Sequence, residues 1–337
     1  MDKEEILYFL EHPDEEERLF RKADEVRKNR CGNDVHIRGI IEFSNYCCRN
    51  CRYCGLRRDN VNLNRYRMEE REIIDLARRI AATGIKTIVL QSGDDFHYTR
   101  RALCRIIERI KQNDDVAITL SVGERPFDDY RAFKLAGVDR YLLKHETANS
   151  DLYGSLHPGQ TLEQRLKILA FLRDIGCQIG SGNIVGLPGQ TCDDLCADIL
   201  LLEKLDPDMS SVGLFIPQHD TPLSNTPAGD LQTALRVLAL ARTATQDAHI
   251  PVTTAIVTAD PETGLVRGLR AGANVIMPDF TPETCSREYA IYDNKIRITL
   301  QEAKEAIRTT GRTVSKTRGD SLKQNSCTYR DIGTGKA

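Results

Sequence analysis

The stretch Val35–Arg57, "VHIRGIIEFSNYCCRNCRYCGLR", joins two signals. Val35–Ser44 is a β-branched apolar run that reads as a strand, and four cysteines follow it almost at once. Cys47, Cys51 and Cys54 form C-x3-C-x2-C directly behind the strand, which puts three thiols on one loop at its carboxyl end. Working outward, further strand-like runs occur at Lys86–Ser92, Val116–Val122, Asp139–Glu146, Gln178–Val185, Ser211–Ile216, Pro251–Val257 and Asn274–Met277. Amphipathic segments such as "EEREIIDLARRIAATG", "TLEQRLKILAFLRDIG" and "DLQTALRVLALARTATQ" separate them, with apolar residues recurring at three and four. Gly84, Gly137, Gly176 and Gly272 each end a helical segment shortly before the next strand. Strand and helix alternating in this way predict an α/β protein, a parallel (β/α)8 TIM barrel, with an open doubly wound sheet as the competing arrangement. In both, functional groups gather at the carboxyl ends of the strands.

The expected organisation is an acidic N-terminal helical extension over 1–30, the barrel over 31–311 and a polar C-terminal tail over 312–337. Apolar content of 40%, charged content of 28% and a net charge of −2 describe an ordinary globule without the basic excess that attracts nucleic acid. The acidic start lacks the basic, then apolar, pattern of a signal peptide, and no apolar run approaches the roughly 18 residues of a membrane span. The expected location is the cytoplasm, where thiols stay reduced, so the 11 cysteines point to metal binding or burial rather than disulfides.

Three thiolates on a tight loop can hold one metal centre. Zinc wants a fourth protein ligand, and no second C-x2-C or H-x3-H pair supplies it. Cys192 and Cys196, one helical turn apart, read as buried core cysteines, and Cys48 falls outside the three-point spacing. Three thiolates without a fourth suit a 4Fe-4S cluster whose last iron stays open for a small ligand. The bland alternative, unliganded thiols this dense on an exposed loop, would invite oxidation.

The spacing Cys47-x3-Cys51-x2-Cys54, with Tyr53 before the last cysteine, resembles the signature of radical S-adenosylmethionine (SAM) enzymes. "IEFSNYC", "CGLRRDN", "TIVLQSGDD", "DRYLLKHETAN", "IVGLPGQT", "FIPQHDTPL", "IPVTTA" and "GANVIMP", in order, are similar to the HydE family, the radical SAM maturases of FeFe-hydrogenases. Methylornithine synthase and biotin synthase are its near relatives. The resemblance implies one 4Fe-4S cluster on Cys47, Cys51 and Cys54, with SAM on the open iron, cleaved by one electron to methionine and a 5'-deoxyadenosyl radical. It implies SAM contacts from Tyr53, from Ser92, Gly93 and Asp94, from Glu146 at the ribose hydroxyls, from Arg165 at the carboxylate and from Gly186 near the adenine. Asp94 stands where the superfamily carries Glu, one methylene longer.

For the substrate, the resemblance implies an interior set of Thr119, Arg140, Lys144, Met209, Thr253, Thr254, Met277, Tyr289 and Tyr292, with Lys144 standing in place of Arg. The catalytic residue is not specified. The implied reaction is attack of the radical at sulfur of a cysteine-bound iron carbonyl cyanide complex. Implied partners are other maturases and a reductant such as ferredoxin or flavodoxin. The competing readings are a radical SAM mutase or synthase acting on an amino acid, as in methylornithine synthase, and a metal-binding scaffold. Some members carry a second cluster on C-x7-C-x2-C; here those positions are Arg297, Glu305 and Arg308, which cannot hold one.

Overall fold

A computed structural model describes residues 1–323. In chain order the elements are α1 (Lys3–Glu11), α2 (Glu16–Cys31), β1 (Asp34–Ile37), β2 (Gly39–Ser44), α3 (Glu70–Ala82), β3 (Thr87–Ser92), α4 (Arg100–Asn113), β4 (Ala117–Ser121), α5 (Phe127–Ala136), β5 (Arg140–Leu142), α6 (Ser150–Leu156) and α7 (Leu162–Asp174). There follow β6 (Gln178–Val185), α8 (Cys192–Leu205), β7 (Met209–Leu214), α9 (Leu231–Thr245), α10 (Thr254–Ala259), α11 (Gly264–Arg270), β8 (Val275–Ile276), α12 (Glu283–Ser286), α13 (Leu300–Thr309) and β9 (Thr313–Val314). Strands β2 to β7 form one parallel sheet in sequence order, and β8, β1 and β9 form a second in that spatial order. Isolated parallel bridges, Met209 to His249, Pro251 to Val275 and Ile40 to Asp279, link the two.

Three expected strands are altered. Asp139–Glu146 shortens to Arg140–Leu142. Val35–Ser44 is interrupted between β1 and β2, which join different sheets. Pro251–Val257 contributes single bridges and then turns into α10, because Pro251 has no N–H for a ladder and Thr253 caps a helix instead.

Side-chain alternation explains why the sheet has a polar interior. On β3 and β4, Ile88, Leu90, Ile118 and Leu120 point into the apolar layer beneath the helices. The opposite face carries Thr87, Val89, Gln91, Ala117, Thr119 and Ser121, and Gln91 and Ser121 reach the central cavity. Burying each outward Ile or Leu contributes about 1.5–3 kcal/mol, so the apolar layer carries the fold and the inner face is free to be polar. The helices α1 and α2 pack on α8 and α9, burying Ile6, Phe9, Leu10, Leu19 and Ala23.

The expected tail does not hang free. Residues 312–323 pack across the amino end of the sheet, whereas 324–337 lie outside the described residues. β9 pairs with β1, and Arg318, Gly319 and Asp320 insert beneath the strands. Gly319 has φ +58°, and a Cβ there would stand 2.8 Å from the His36 ring, so a side chain is excluded twice over.

That insertion corrects the expectation for Arg140. Fully buried, it donates through Nη2 to the carbonyls of Arg318 (2.8 Å) and Gly319 (2.9 Å) and to Asp320 Oδ1 (2.8 Å). Its Nε reaches Gln178 Oε1 at 2.8 Å and its Nη1 reaches Thr87 Oγ1 at 3.2 Å. The guanidinium is committed to the tail at the end opposite the cysteine loop. Met209 lies at this end too, where its sulfur accepts from Arg38 Nη1 at 2.9 Å. Thr119, paired in register with Arg140, is buried within β4 and does not line the cavity.

Arg140→Met strands three acceptors of the tail. The expected loss is about 2–4 kcal/mol of unfolding free energy in urea titrations, with SAM affinity kept within about threefold. A hundredfold loss of SAM affinity in a stable variant would return Arg140 to the site.

Candidate cofactor and active site

The cysteine loop leaves β2 and is folded by one side chain that the sequence does not advertise. The Arg65 guanidinium donates to the carbonyls of Asn45, Leu56, Arg57 and Asn60, gathering both ends of the loop. Asn45 adds bonds to the carbonyls of Asn64 and Glu288, and Ser44 Oγ donates to Asp95, itself paired with Arg67. Gly93 closes against the loop from β3; a Cβ there would sit 2.7 Å from Cys47 Cβ.

Cys47, Cys51 and Cys54 open into one cavity of about 360 Å³. Burial pushes the Cys47 thiol up to about 12 and the Cys54 thiol up to about 11, and drives Cys51 well above its ordinary value; neighbouring thiols add to the rise at Cys47 and Cys51. The three are near enough to repel one another as thiolates. Yet among the described residues no three Cys, His, Asp or Glu side chains converge on one ion position. A single tetrahedral ion needs its ligands at one point, whereas a 4Fe-4S cluster takes each thiolate on a different iron, so this donor set fits the cluster. Cys48 is exposed and absent from the lining. Cys196 is buried as expected, but Cys192, the first residue of α8, is exposed.

Two charged chains surround the thiols. Arg49 Nε donates to Asp94 Oδ2 (2.7 Å) and its Nη2 to Glu124 Oε2 (3.4 Å); the far oxygen of Glu124 accepts from Arg165 Nε at 2.8 Å. Arg165 Nη1 donates to the Lys144 carbonyl at 2.8 Å, which leaves Nη2 without a protein partner among the described residues. Arg165 is therefore held in the cavity wall and is not a solvated helix residue. Asp94 turns its carboxylate toward Arg49, the Glu124 N–H and Gly123, away from the role expected of the longer Glu. On the other side Lys144 Nζ lies 3.1 Å from Glu146 Oε2. Burial opposes ionisation of Glu146, but Lys144, His157 and Arg165 together hold its carboxyl below the usual range. Glu146 occupies the left-handed region at φ 66°, fixed by bonds from its N–H to the Gly182 carbonyl and from the Ile184 N–H to its own carbonyl.

The cavity brings together Tyr53, Ser92, Gly93, Asp94, Glu146 and Arg165 with Lys144, Thr253, Thr254, Met277, Tyr289 and Tyr292. It excludes Thr119, Arg140, Met209 and Gly186. Gly186 instead packs on Gly229, where a Cβ would stand 2.3 Å from the Gly229 Cα, and donates its N–H to Gln190 Oε1 at 2.8 Å. Tyr53 packs among Leu156, Ile184, Leu187 and Phe215, and its hydroxyl lies 2.8 Å from His157 Nε2. His157 Nδ1 is 2.9 Å from the Tyr153 carbonyl, so the ring is the Nδ1–H tautomer and accepts from Tyr53. Burial, its largest cause, lowers the His157 pKa to about 4.

Sequence reasoning missed Arg49, Glu124, His157 and Gln160, and also a buried pair deeper in, Lys295 Nζ with Glu42 Oε2 at 2.7 Å. Burial raises the Glu42 carboxyl to about 7 despite Lys295. An acid inside the apolar run "GIIEFS" was the available signal, since a buried charge needs a partner. The remaining positions, Arg297, Glu305 and Arg308, lie apart from this cavity, with Arg308 paired to Glu305 on α13 and Arg297 near Asp279.

The arrangement meets known proteins at this point. The Radical SAM superfamily profile matches residues 41–202, the segment that carries the three thiols, Glu146 and Arg165. The fold and site thus define a radical SAM enzyme, a SAM-cleaving class whose membership implies a 4Fe-4S cluster and SAM. Among curated proteins, the [FeFe] hydrogenase maturase subunit HydE of Thermotoga maritima is 50% identical over 280 residues, 83% of this chain and 80% of that protein. The chain belongs to the HydE family. Among solved structures, methylornithine synthase (PylB) superposes with a TM-score of 0.86 at 23% identity, covering 94% of both chains. HydG, a maturase of the [FeFe]-hydrogenase, follows at 0.78 and 18% identity, covering 94% of this chain and 77% of its own. Both likenesses concern the fold.

Because the unfolded His157 takes up its proton near pH 6.5 and the folded one only near 4, stability falls as pH drops through that window, by about 1.4 kcal/mol per unit. His157→Phe removes this slope. The advantage of the parent over the variant in urea unfolding should shrink by about 2 kcal/mol between pH 6.5 and 5. An advantage independent of pH would mean that the ring titrates as in water.

Proposed function

We propose that this chain reductively cleaves SAM and serves FeFe-hydrogenase maturation, acting at sulfur of a cysteine-bound iron carbonyl cyanide precursor. The observation that carries the reading is the meeting, on one cavity, of three thiols with no fourth among the described residues, a buried arginine whose Nη2 has no partner among them and a carboxylate held ionised. Cys47, Cys51 and Cys54 would hold the cluster. When bound, the cluster supplies the electron that cleaves SAM to methionine and the 5'-deoxyadenosyl radical.

The chain's own residues bind and orient. Arg165 offers Nη2 to the SAM carboxylate while Glu124 fixes its plane. Glu146 accepts from the ribose hydroxyls, and Tyr53 with Ile184, Leu187 and Phe215 forms the apolar seat of the adenine. Ser92, Gly93 and Asp94 would border the ammonium; with the Asp94 carboxylate on Arg49 and the Gly93 carbonyl taken by Asp95 N–H and Ser92 Oγ, the Ser92 carbonyl and the second lone pair of the Asp94 carbonyl are left to receive it. Lys144, Thr253, Thr254, Met277, Tyr289 and Tyr292 would face the substrate, with Glu42 and Lys295 beneath them. The HydE family also suggests partner maturases and a ferredoxin- or flavodoxin-like reductant in the cytoplasm. Among the described residues no helix is long and apolar enough to cross a membrane.

Anaerobic reconstitution should give about four irons per chain, one three-cysteine cluster. Cys51→Ser should abolish dithionite-driven 5'-deoxyadenosine formation, whereas Cys48→Ser keeps most of it. Equal loss in both variants would contradict the ligand set.

Arg165→Ala should weaken SAM binding roughly a hundredfold, the cost of stranding a desolvated carboxylate, with iron content unchanged. Arg165→Lys should recover part of the loss, keeping charge without the planar fork. Affinity within about threefold of the parent in the alanine variant would remove Arg165 from the SAM site.

A further inference from the structure

The three thiols are not equally served. Cys47 Sγ accepts N–H bonds from Arg49 and Asp94, both at 3.4 Å. Cys51 has no N–H donor among the described residues. Its one polar partner is Gln160, whose Oε1 lies 3.9 Å from the sulfur. Gln160 is 9% exposed, lines the same cavity, and buries its Nε2 with no partner at all.

That orientation suits a protonated thiol, which donates S–H to the amide oxygen. A thiolate bound to iron has no proton to give, and a carbonyl oxygen against it is repelled. A half-turn of the terminal amide exchanges Oε1 for Nε2, and the two ends of a glutamine are equal in size. The buried orphan donor then finds an acceptor, and a sulfur without an N–H among the described residues gains one.

We infer that Gln160, when the site holds its cluster, donates Nε2–H to the Cys51 thiolate and raises the reduction potential of the cluster. Hydrogen bonds to ligating sulfurs stabilise the more negative, reduced state, so they set how readily a cluster accepts its electron. Gln160 acts through Cys51 without holding iron, SAM or substrate. This inference rests on the ligand set proposed above.

The test is an anaerobic redox titration of reconstituted protein, read by electron paramagnetic resonance of the reduced cluster, for the parent, Gln160→Met and Gln160→Leu. Met keeps the length and removes the donor; Leu also removes the donor, and neither adds a charge. Both variants should retain parental iron content. At the parent's midpoint their reduced-to-oxidised ratio should fall about tenfold, equivalent to a shift of ~59 mV to lower potential for one electron. A loaded variant with a ratio within about twofold of the parent overturns the inference. Should Met impair loading, the Leu variant decides by the same criterion. A parent that takes up no iron overturns the ligand set and this inference together, whereas a loaded parent with unshifted variants overturns this inference alone.

Discussion

Everything at the active end depends on a loop that has no regular structure of its own. Cysteine thiols become a fixed three-point donor only if the backbone between them cannot relax. The Arg65 guanidinium supplies that restraint by collecting carbonyls from Asn45 at one end of the loop and Leu56, Arg57 and Asn60 at the other. Backbone carbonyls in a buried loop need donors, and a planar group with five N–H bonds satisfies several at once. The loop is thereby stapled to itself, and Gly93 lets β3 approach it closely.

Charge is handled by linkage in chains. Arg49, Asp94, Glu124 and Arg165 alternate in sign across the wall of the cavity, so each buried group has a partner and no isolated charge is left to neutralise itself. Glu124 is the hinge of this chain, because it divides its two oxygens between Arg49 and Arg165. The same economy appears at the other end of the sheet, where Arg140 is satisfied by the tail. The polar interior is thus closed below by protein and left open above to a ligand.

What the sequence revealed follows from the range of the forces involved. Strand positions, helix faces and the Cys47, Cys51 and Cys54 spacing are local, and periodicity and spacing report them well. Membership of the HydE family was legible from words distributed along the chain. Arg140 and Met209 were misplaced because alternation tells which face a residue takes but not which end of the strand it serves; only the return of residues 312–323 decides that. Gly186 was misplaced because a glycine required for packing against Gly229 looks the same in sequence as one required for a ligand. Arg65, Glu124, His157 and Gln160 were invisible because their decisive partners lie farther off than local pattern reaches, Asn45 at 20 positions from Arg65 and Cys51 at 109 from Gln160. A charged or amide side chain carries no local mark of a distant partner.

The proposed function requires a cluster held by three cysteines and open to SAM at its fourth iron. Electron–nuclear double resonance of the reduced, iron-loaded protein, with SAM labelled by magnetic isotopes at its amino nitrogen and carboxylate oxygen, addresses that arrangement without requiring turnover. Hyperfine coupling of both labels to the cluster, retained in Cys48→Ser, is the expected result. A loaded cluster that shows no coupling to either label would mean that its fourth iron is closed, and the chain would then hold its cluster for some purpose other than cleaving SAM.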